Sequence, residues 1–252
     1  MKRSTLAPSR RRLRIAVVDA EPISVSPAEF TAQGHTWLHR RASSERPGLV
    51  LKYAVDRVVA LACLIVALPV MLVVALAVRL SSRGPILYHD ARLGQYGREF
   101  QMLKFRTMTG SPDTDGEADG EWIARQAGRS ATRVATTDRT TPVGRVLRRF
   151  ALDELPQLFN VLRGDMSLIG PRPERAAVAR IFMEGFDGYV ERHRVKPGMT
   201  GFAQVQGLRG ETSLRARIDC DNYYVDNWSV CLDLKVLLLT VPAMLRGPDA
   251  HR

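Results

Sequence analysis

The sequence predicts an α+β protein, mainly helical, that sits on a membrane through an N-terminal re-entrant helix hairpin and carries a small globule containing a β-hairpin. Three observations predict it. An apolar run over residues 58–78 is interrupted by Pro69 and has basic residues on both flanks. Two short stretches, residues 86–89 and 99–105, read as strands on either side of a turn at Gly94 and Gly97. A proline-rich segment bearing two adjacent acids, LDELPQLFNVLRGDMSLIGPRPE, follows a well-capped helix start.

The apolar run of about 21 residues is long enough to cross a hydrocarbon core of roughly 30 Å. Charge argues against a simple crossing. Arg40, Arg41, Arg46, Lys52 and Arg57 precede the run and Arg79, Arg83 and Arg92 follow it. A spanning helix would strand one of these clusters on the non-cytoplasmic side, against the positive-inside bias. Pro69 lacks a backbone donor and clashes with the preceding turn, so a helix that breaks there and leaves by the face it entered keeps both clusters in the cytoplasm. No polar stripe divides the run, which disfavours a buried core helix.

The domain division is then residues 1–46 as a basic, flexible tail, 47–83 as the re-entrant membrane helix, 84–246 as the cytoplasmic domain and 247–252 as a short tail. The start of the chain has too short an apolar stretch for a cleaved signal, so the cytoplasmic face of the membrane is the expected location. Residues 109–119, rich in Gly, Asp and Thr, read as a loop. Thr141 and Pro142 form a cap and first-turn pair for a helix with Val143, Val146, Leu147 and Phe150 on one face. Residues 230–245 are apolar except for Asp233 and Lys235 and suit the interface or the core.

A net charge of +11 implies an anionic partner. The Lys and Arg residues are dispersed and no zinc-finger or RNA-binding aromatic signature occurs, which disfavours nucleic acid and leaves membrane lipid and phosphorylated substrates. The three cysteines form no metal-type pair and fit a reducing compartment without structural disulfides.

The chemistry concentrates in Asp153 and Glu154. Neighbouring carboxylates on a helix point about 100° apart, so they serve separate roles around one ligand rather than sharing a proton. Pro156 is tolerated in a first helical turn, which puts Asp153 near a helix start, a setting that favours anions. A bare Asp-Glu pair is also compatible with simple helix capping. The prolines of the GPRP loop, residues 170–173, stiffen it and can hold Arg172 toward an anion.

Five blocks carry a wider resemblance: KYAVDRVVALACLIVALPVML, KFRTM from Lys104 to Met108, LDELPQLFNVLRGDMSLIGPRPE, KPGMTGFAQVQG and YYVDNWSVCLDLKVL. In this order they resemble the bacterial sugar transferases of the monotopic phosphoglycosyl transferase type, over residues 51–245. The resemblance implies transfer of a sugar 1-phosphate from a nucleoside diphosphate sugar, a UDP-sugar in most of the family, to a polyprenyl phosphate such as undecaprenyl phosphate at the cytoplasmic membrane face. It also implies a fold with a re-entrant helix hairpin, interfacial amphipathic helices and a small mixed α/β globule.

By the same resemblance, Asp153 matches a carboxylate nucleophile that forms an aspartyl phospho-sugar intermediate. Glu154 matches an acid that works with Mg²⁺, both acids being candidate metal ligands. Arg148 matches a phosphate-binding arginine, with Arg149 as an alternative in a shifted register. Lys104, Arg106 and Arg172 are further phosphate candidates, the alternatives being a solvated basic strand for the first two and a structural turn with an exposed arginine for the third; Gln204 is a nucleotide-pocket candidate, and Arg217, Asp221 and Tyr223 are residues that order the site or pack the domain. The implied partners are a UDP-sugar, polyprenyl phosphate and inner-membrane lipids, and a homodimer stays open. The rival expectation is an inactive membrane-anchored basic scaffold that retains the motifs. Departures from the family pattern are Ala151 in place of Ser or Thr, which removes a capping box with Glu154, Phe202 in place of Trp, Leu68 in place of Ser before Pro69, and the lack of a multi-helix N-terminal extension.

Overall fold

The computed structural model of the protein describes residues 47–109, 139–208 and 212–245; the 1–46 tail, nearly all of the 109–119 loop and the 247–252 tail lie outside the described residues. The chain is mostly helical, with two small two-stranded sheets among the described residues. Helix α1, Pro47–Ser81, comes first. It is long and apolar enough to cross a membrane. Helical structure continues through Pro69 rather than stopping there, so among the described residues the element is one helix containing a proline, not two helices joined by a turn.

Its packing shows a second role. Leu49 and Tyr53 near its start pack with Tyr224 and Val236. Ala60 in the middle packs with Met102, Leu158 and Val161, and Met71, Val74 and Val78 pack with Phe105 and Leu147. One side of the helix therefore lies along the globule over its whole length. The other side leaves Leu61, Ile65, Val66, Leu72, Val73 and Leu80 exposed, a continuous apolar face that water would not tolerate at this size.

Strands β1, Leu87–Leu93, and β2, Glu99–Phe105, form the expected hairpin, in antiparallel register with Tyr88 opposite Lys104 and Asp90 opposite Met102. The turn puts Tyr96 at φ 56° and Gly97 at φ 74°, both left-handed, and glycine fills the second without strain. Helix α2, Pro142–Arg149, starts where expected, its Thr141 hydroxyl accepting from the Gly144 amide at 2.9 Å. Its predicted apolar face divides in two. Leu147 is buried and Val143 packs beside it, but Val146 and Phe150 are exposed, because Val143 and Leu147 face α1 while Val146 lies off that side and Phe150 lies just past the helix end.

After α2 the chain makes a 3₁₀ turn at Leu152–Glu154, then helix α3, Gln157–Arg163. Ala151 sits at φ 53° and ψ 24°. A capping box needs its first residue in the extended region, so a Ser at this left-handed position could not form one, and the expected cost of losing that box does not apply.

Strand β3, Ser167–Ile169, pairs in parallel with β4, Gly198–Thr200, a sheet the sequence reading missed. Between them lie helix α4, Ala176–Gly185, and a 3₁₀ segment, Tyr189–Arg194. The short helix α5, Phe202–Val205, follows β4 and leads to α6, Leu214–Asp226, and α7, Val230–Leu245. Val236 of α7 is buried while Val230, Leu234, Leu237, Leu238 and Val241 are exposed, so α7 has one face in the core and one apolar face outside.

Candidate active site

The hairpin, the α2–α3 connection and the β3–α4 loop converge on one cleft of ≈ 1920 Å³. It is larger than the several hundred Å³ of an ordinary small-molecule pocket, so it has room for more than one ligand. The alternation of β2 turns Lys104 into it, and Arg106 beyond the strand end also lines it. Arg148 and Arg149 enter from the last turn of α2, Arg172 from the GPRP loop, and Gln204 from α5. Asp153 and Glu154 lie among these cations, on the 3₁₀ turn.

Glu154 is fixed by two of them. Lys104 Nζ donates to its Oε1 at 3.2 Å and Arg172 Nη2 donates to the same oxygen at 3.0 Å. Burial alone would raise the Glu154 pKa, but Arg172 and Lys104 outweigh it and hold the carboxyl down to about 2. Asp153 goes the other way. Its burial and the neighbouring Glu154 charge raise its pKa above the ordinary value, against the pull of Lys104 and Arg148. The two carboxylates thus differ in kind: Glu154 is a permanent, paired anion, and Asp153 is a buried carboxylate without a cation within bonding distance among the described pairs. Burial also lowers the Lys104 pKa, with Glu154 opposing.

Arg148 Nε donates to the Thr107 hydroxyl at 2.9 Å, which aims its guanidinium along the cleft. Arg106 donates from Nη2 to the Ser82 carbonyl at 2.7 Å and to the Ser82 hydroxyl at 2.9 Å, tying β2 to the segment that follows α1. Arg217 and Asp221 do not line the cleft. Arg217 donates to Glu174 at 2.7 Å and Asp221 pairs with Arg192 at 2.7 Å, both deep in the protein. Arg192 Nη2 in turn donates to the Arg172 carbonyl at 2.8 Å and Arg92 Nη1 to the Pro173 carbonyl at 2.9 Å. These groups stand behind the GPRP loop and hold it in place. Pro69 is exposed on the outer face of α1, away from the cleft.

Asn160 was missed in the sequence. It is fully buried, accepts from the Leu103 amide at 2.9 Å and donates to the Gln101 carbonyl at 2.7 Å. It locks α3 to β2 and so sets Lys104 against the Asp-Glu turn. A polar residue inside the apolar periodicity of QLFNVL was the available signal.

The donor set bears on Mg²⁺. Among the described residues no group of three or more His, Cys, Asp or Glu side chains converges. An all-protein cage is therefore lacking there, but Mg²⁺ ordinarily binds through one or two carboxylates, waters and substrate phosphates, and Asp153 and Glu154 fit that pattern.

Replacing Glu154 with Gln removes the charge that raises Asp153 and the one that supports the Lys104 cation. Both pKa values then fall. In Glu154→Gln, the acid and alkaline limbs of the residual rate should both move to lower pH than in wild type. A pH–rate profile with unmoved limbs would detach Asp153 and Lys104 from the reaction.

The sequence profile of the bacterial sugar transferases matches residues 48–247. The chain is 40% identical over 250 residues to an undecaprenyl-phosphate glucose phosphotransferase of Komagataeibacter xylinus, covering 91% of this chain and 44% of the relative. It is 45% identical over 187 residues to a UDP-glucose:undecaprenyl-phosphate glucose-1-phosphate transferase of Caulobacter vibrioides, covering 73% and 65%. Over 205 residues it is 40% identical to an exopolysaccharide production protein of Rhizobium leguminosarum, covering 78% and 96%. The chain thus spans less than two thirds of the length of the first two relatives.

Proposed function

Because this chain belongs to the bacterial sugar transferase family, we propose that it transfers a sugar 1-phosphate from a UDP-sugar to a polyprenyl phosphate, giving a polyprenyl diphosphate sugar and UMP at the cytoplasmic face of the cell membrane. The observation that carries this reading is the buried Asp153 beside Glu154, one of whose oxygens is held by both Lys104 and Arg172, in a cleft open to the apolar helices. The names of the relatives make UDP-glucose and undecaprenyl phosphate the first substrates to try, and an exopolysaccharide the first pathway to examine.

In the first step a carboxylate oxygen of Asp153 attacks the β-phosphorus of the UDP-sugar. The new O–P bond forms as the bond from that phosphorus to the bridging oxygen breaks, and UMP departs with the electron pair. In the second step an oxygen of polyprenyl phosphate attacks the same phosphorus and the Asp153 carboxylate leaves. Splitting the transfer in this way replaces one difficult displacement by two easier ones. Lys104, Arg148 and Arg172 bind and orient the phosphate oxygens, with Arg forks suited to paired phosphate oxygens. Asp153 and Glu154 would hold Mg²⁺, which neutralises diphosphate charge and eases departure of the nucleotide. Gln204, which lines the same cleft, would contact the donor.

Membrane seating follows the same reading. Helix α1 enters and leaves one leaflet, with Pro69 as the point of bending; basic residues flank both of its ends, and both halves keep one side on the globule, which supports this seating. The exposed apolar face of α7 and the exposed Val146 and Phe150 of α2 lie in the interface.

The test is a panel of UDP-sugars mixed with the purified protein, Mg²⁺ and undecaprenyl phosphate in detergent or lipid, followed by UMP release. Release with one or a few sugars is expected. Folded protein that releases no UMP with any of them would overturn the transferase reading in favour of a scaffold.

A further inference from the structure

The cleft does not end at the phosphate-handling residues. It continues as one cavity between the first half of α1 and α7. Leu51, Val55, Val59 and Cys63 line one wall, a spacing of four that keeps one helical face toward the cavity. Val230, Leu234 and Leu237 line the other wall at spacings of four and three. Leu158, Leu168 and Met199 lie between these walls and the site.

The polar side chains of the walls have partners within the protein. Lys52 Nζ lies 3.2 Å from Asp56 and 2.9 Å from Asp233, and the Thr240 hydroxyl meets that of Thr200 at 2.9 Å. What the walls present to an occupant is chiefly hydrocarbon. At the far end Trp228 packs against Gly48, where an added Cβ would meet the ring at 2.9 Å, and its Nε1 donates to Asp233 at 3.0 Å. The walls run about 18 Å along α1 and about 15 Å along α7 at 1.5 Å per residue. The second half of α1 is different, since Met71, Val74 and Val78 close directly on β2 and α2.

An occupant must therefore be apolar along the gallery and anionic at the Lys104 and Arg172 end. We propose that this gallery seats the first isoprene units of the acceptor's polyprenyl chain, delivering its phosphate to Asp153 from the α1–α7 side rather than from the Pro69 side. The proposal rests on the transferase reading above. The change of chemistry along the cavity is decisive: a neutral lipid would leave the excess of Lys104, Arg148, Arg149 and Arg172 over Asp153 and Glu154 unmatched, and a soluble nucleotide would leave the hydrocarbon walls exposed.

Val59→Trp and Leu234→Trp would fill the gallery from opposite walls. Both side chains are exposed, so the fold does not depend on them. The quantity to measure is the ratio of kcat/KM for undecaprenyl phosphate to kcat/KM for geranyl phosphate. It should fall about tenfold or more in both variants, since lost chain burial weakens the long acceptor more than the short one. Leu72→Trp, exposed on α1 but outside the cavity, should keep the wild-type ratio. Transfer with an unmoved ratio in both gallery variants would overturn the gallery alone. Absence of transfer by wild type would overturn the transferase reading beneath it. A photoreactive polyprenyl phosphate gives an independent readout on the unmutated protein: labelling within residues 51–63 or 230–240 is expected, and labelling confined to the Pro69 half of α1 would overturn the proposal.

Discussion

Asp153→Asn is expected to lower UMP release by about 1000-fold or more, the scale on which removing a covalent nucleophile acts. Asn fills nearly the same volume but has no anionic oxygen for the proposed attack on phosphorus. Its stability effect should have the opposite sign to its activity effect. In the folded protein burial and Glu154 raise the Asp153 pKa. A raised carboxylate pKa means that the folded state binds the proton more tightly than the unfolded chain does, so the ionised form opposes folding above the ordinary value of 3.8. Removing the charge relieves that opposition, and at neutral pH the variant should melt at the wild-type temperature or above it.

Glu154→Gln provides the contrast. Glu154 is held down to about 2 by Arg172 and Lys104 once they outweigh burial. Its contribution to stability is present above the ordinary value of 4.5 and is lost as pH falls toward 2. Gln at this position should therefore melt lower than wild type at neutral pH. Measured together, UMP release and melting temperature separate the two acids. An Asp153→Asn protein that keeps its activity would remove the nucleophile assignment, whatever its stability.

Gly198→Ala is expected to destabilise the protein by about 3 kcal/mol or more, the range reserved for forced backbone displacement in a packed region. A Cβ there would stand 2.1 Å from the Gly170 amide nitrogen and 2.4 Å from the Thr200 carbonyl oxygen. Both are main-chain atoms, so no side chain can swing away. The contact closes the second sheet: Ser167 donates to the Pro197 carbonyl at 2.8 Å, Gly170 to Thr200 at 2.9 Å and Gly198 to Pro171 at 2.9 Å. Pushing the strands apart moves Pro171 and with it Arg172, so activity should fall with stability. Gly185→Ala serves as the control. Nothing lies within 4 Å of its added Cβ, and an alanine in a helix costs less than a glycine, so it should stay within about 0.5 kcal/mol of wild type or gain slightly. Denaturant unfolding of both variants in the same detergent is the measurement, and equal midpoints would refute the close approach of these strands.

Much of this was legible in short windows of sequence. The hairpin announced itself by its strands and by the glycines at its turn, and helix α2 by Thr141 and Pro142, whose cap geometry needs only four neighbouring residues. The motif blocks carried the family to its match over residues 48–247. Other readings failed where a window holds no information about what lies opposite it. The face of α2 was read as one stripe, but α1 covers only the Val143 and Leu147 side. The polar character of Asn160 was visible, yet its partners on β2 lie 57 and 59 positions away in the chain.

The sequence by itself determined some of the elements and their chemistry: an apolar helix with basic flanks, a hairpin, a capped helix, a strongly cationic chain, and two acids upstream of a proline-stiffened arginine loop. Local propensity and burial preference act over a few residues, and a few residues suffice to read them. The tertiary structure alone decided that, among the described residues, α1 is also the spine shared by three of the four core clusters, that β3, just before the GPRP loop, pairs in parallel with β4 inside the KPGMTG segment, and that Arg217 and Asp221 stand behind Arg172 instead of beside Asp153. Each of these depends on the free energy of closing contacts between segments far apart in the chain, and that closure depends on how all the buried surfaces fit at once.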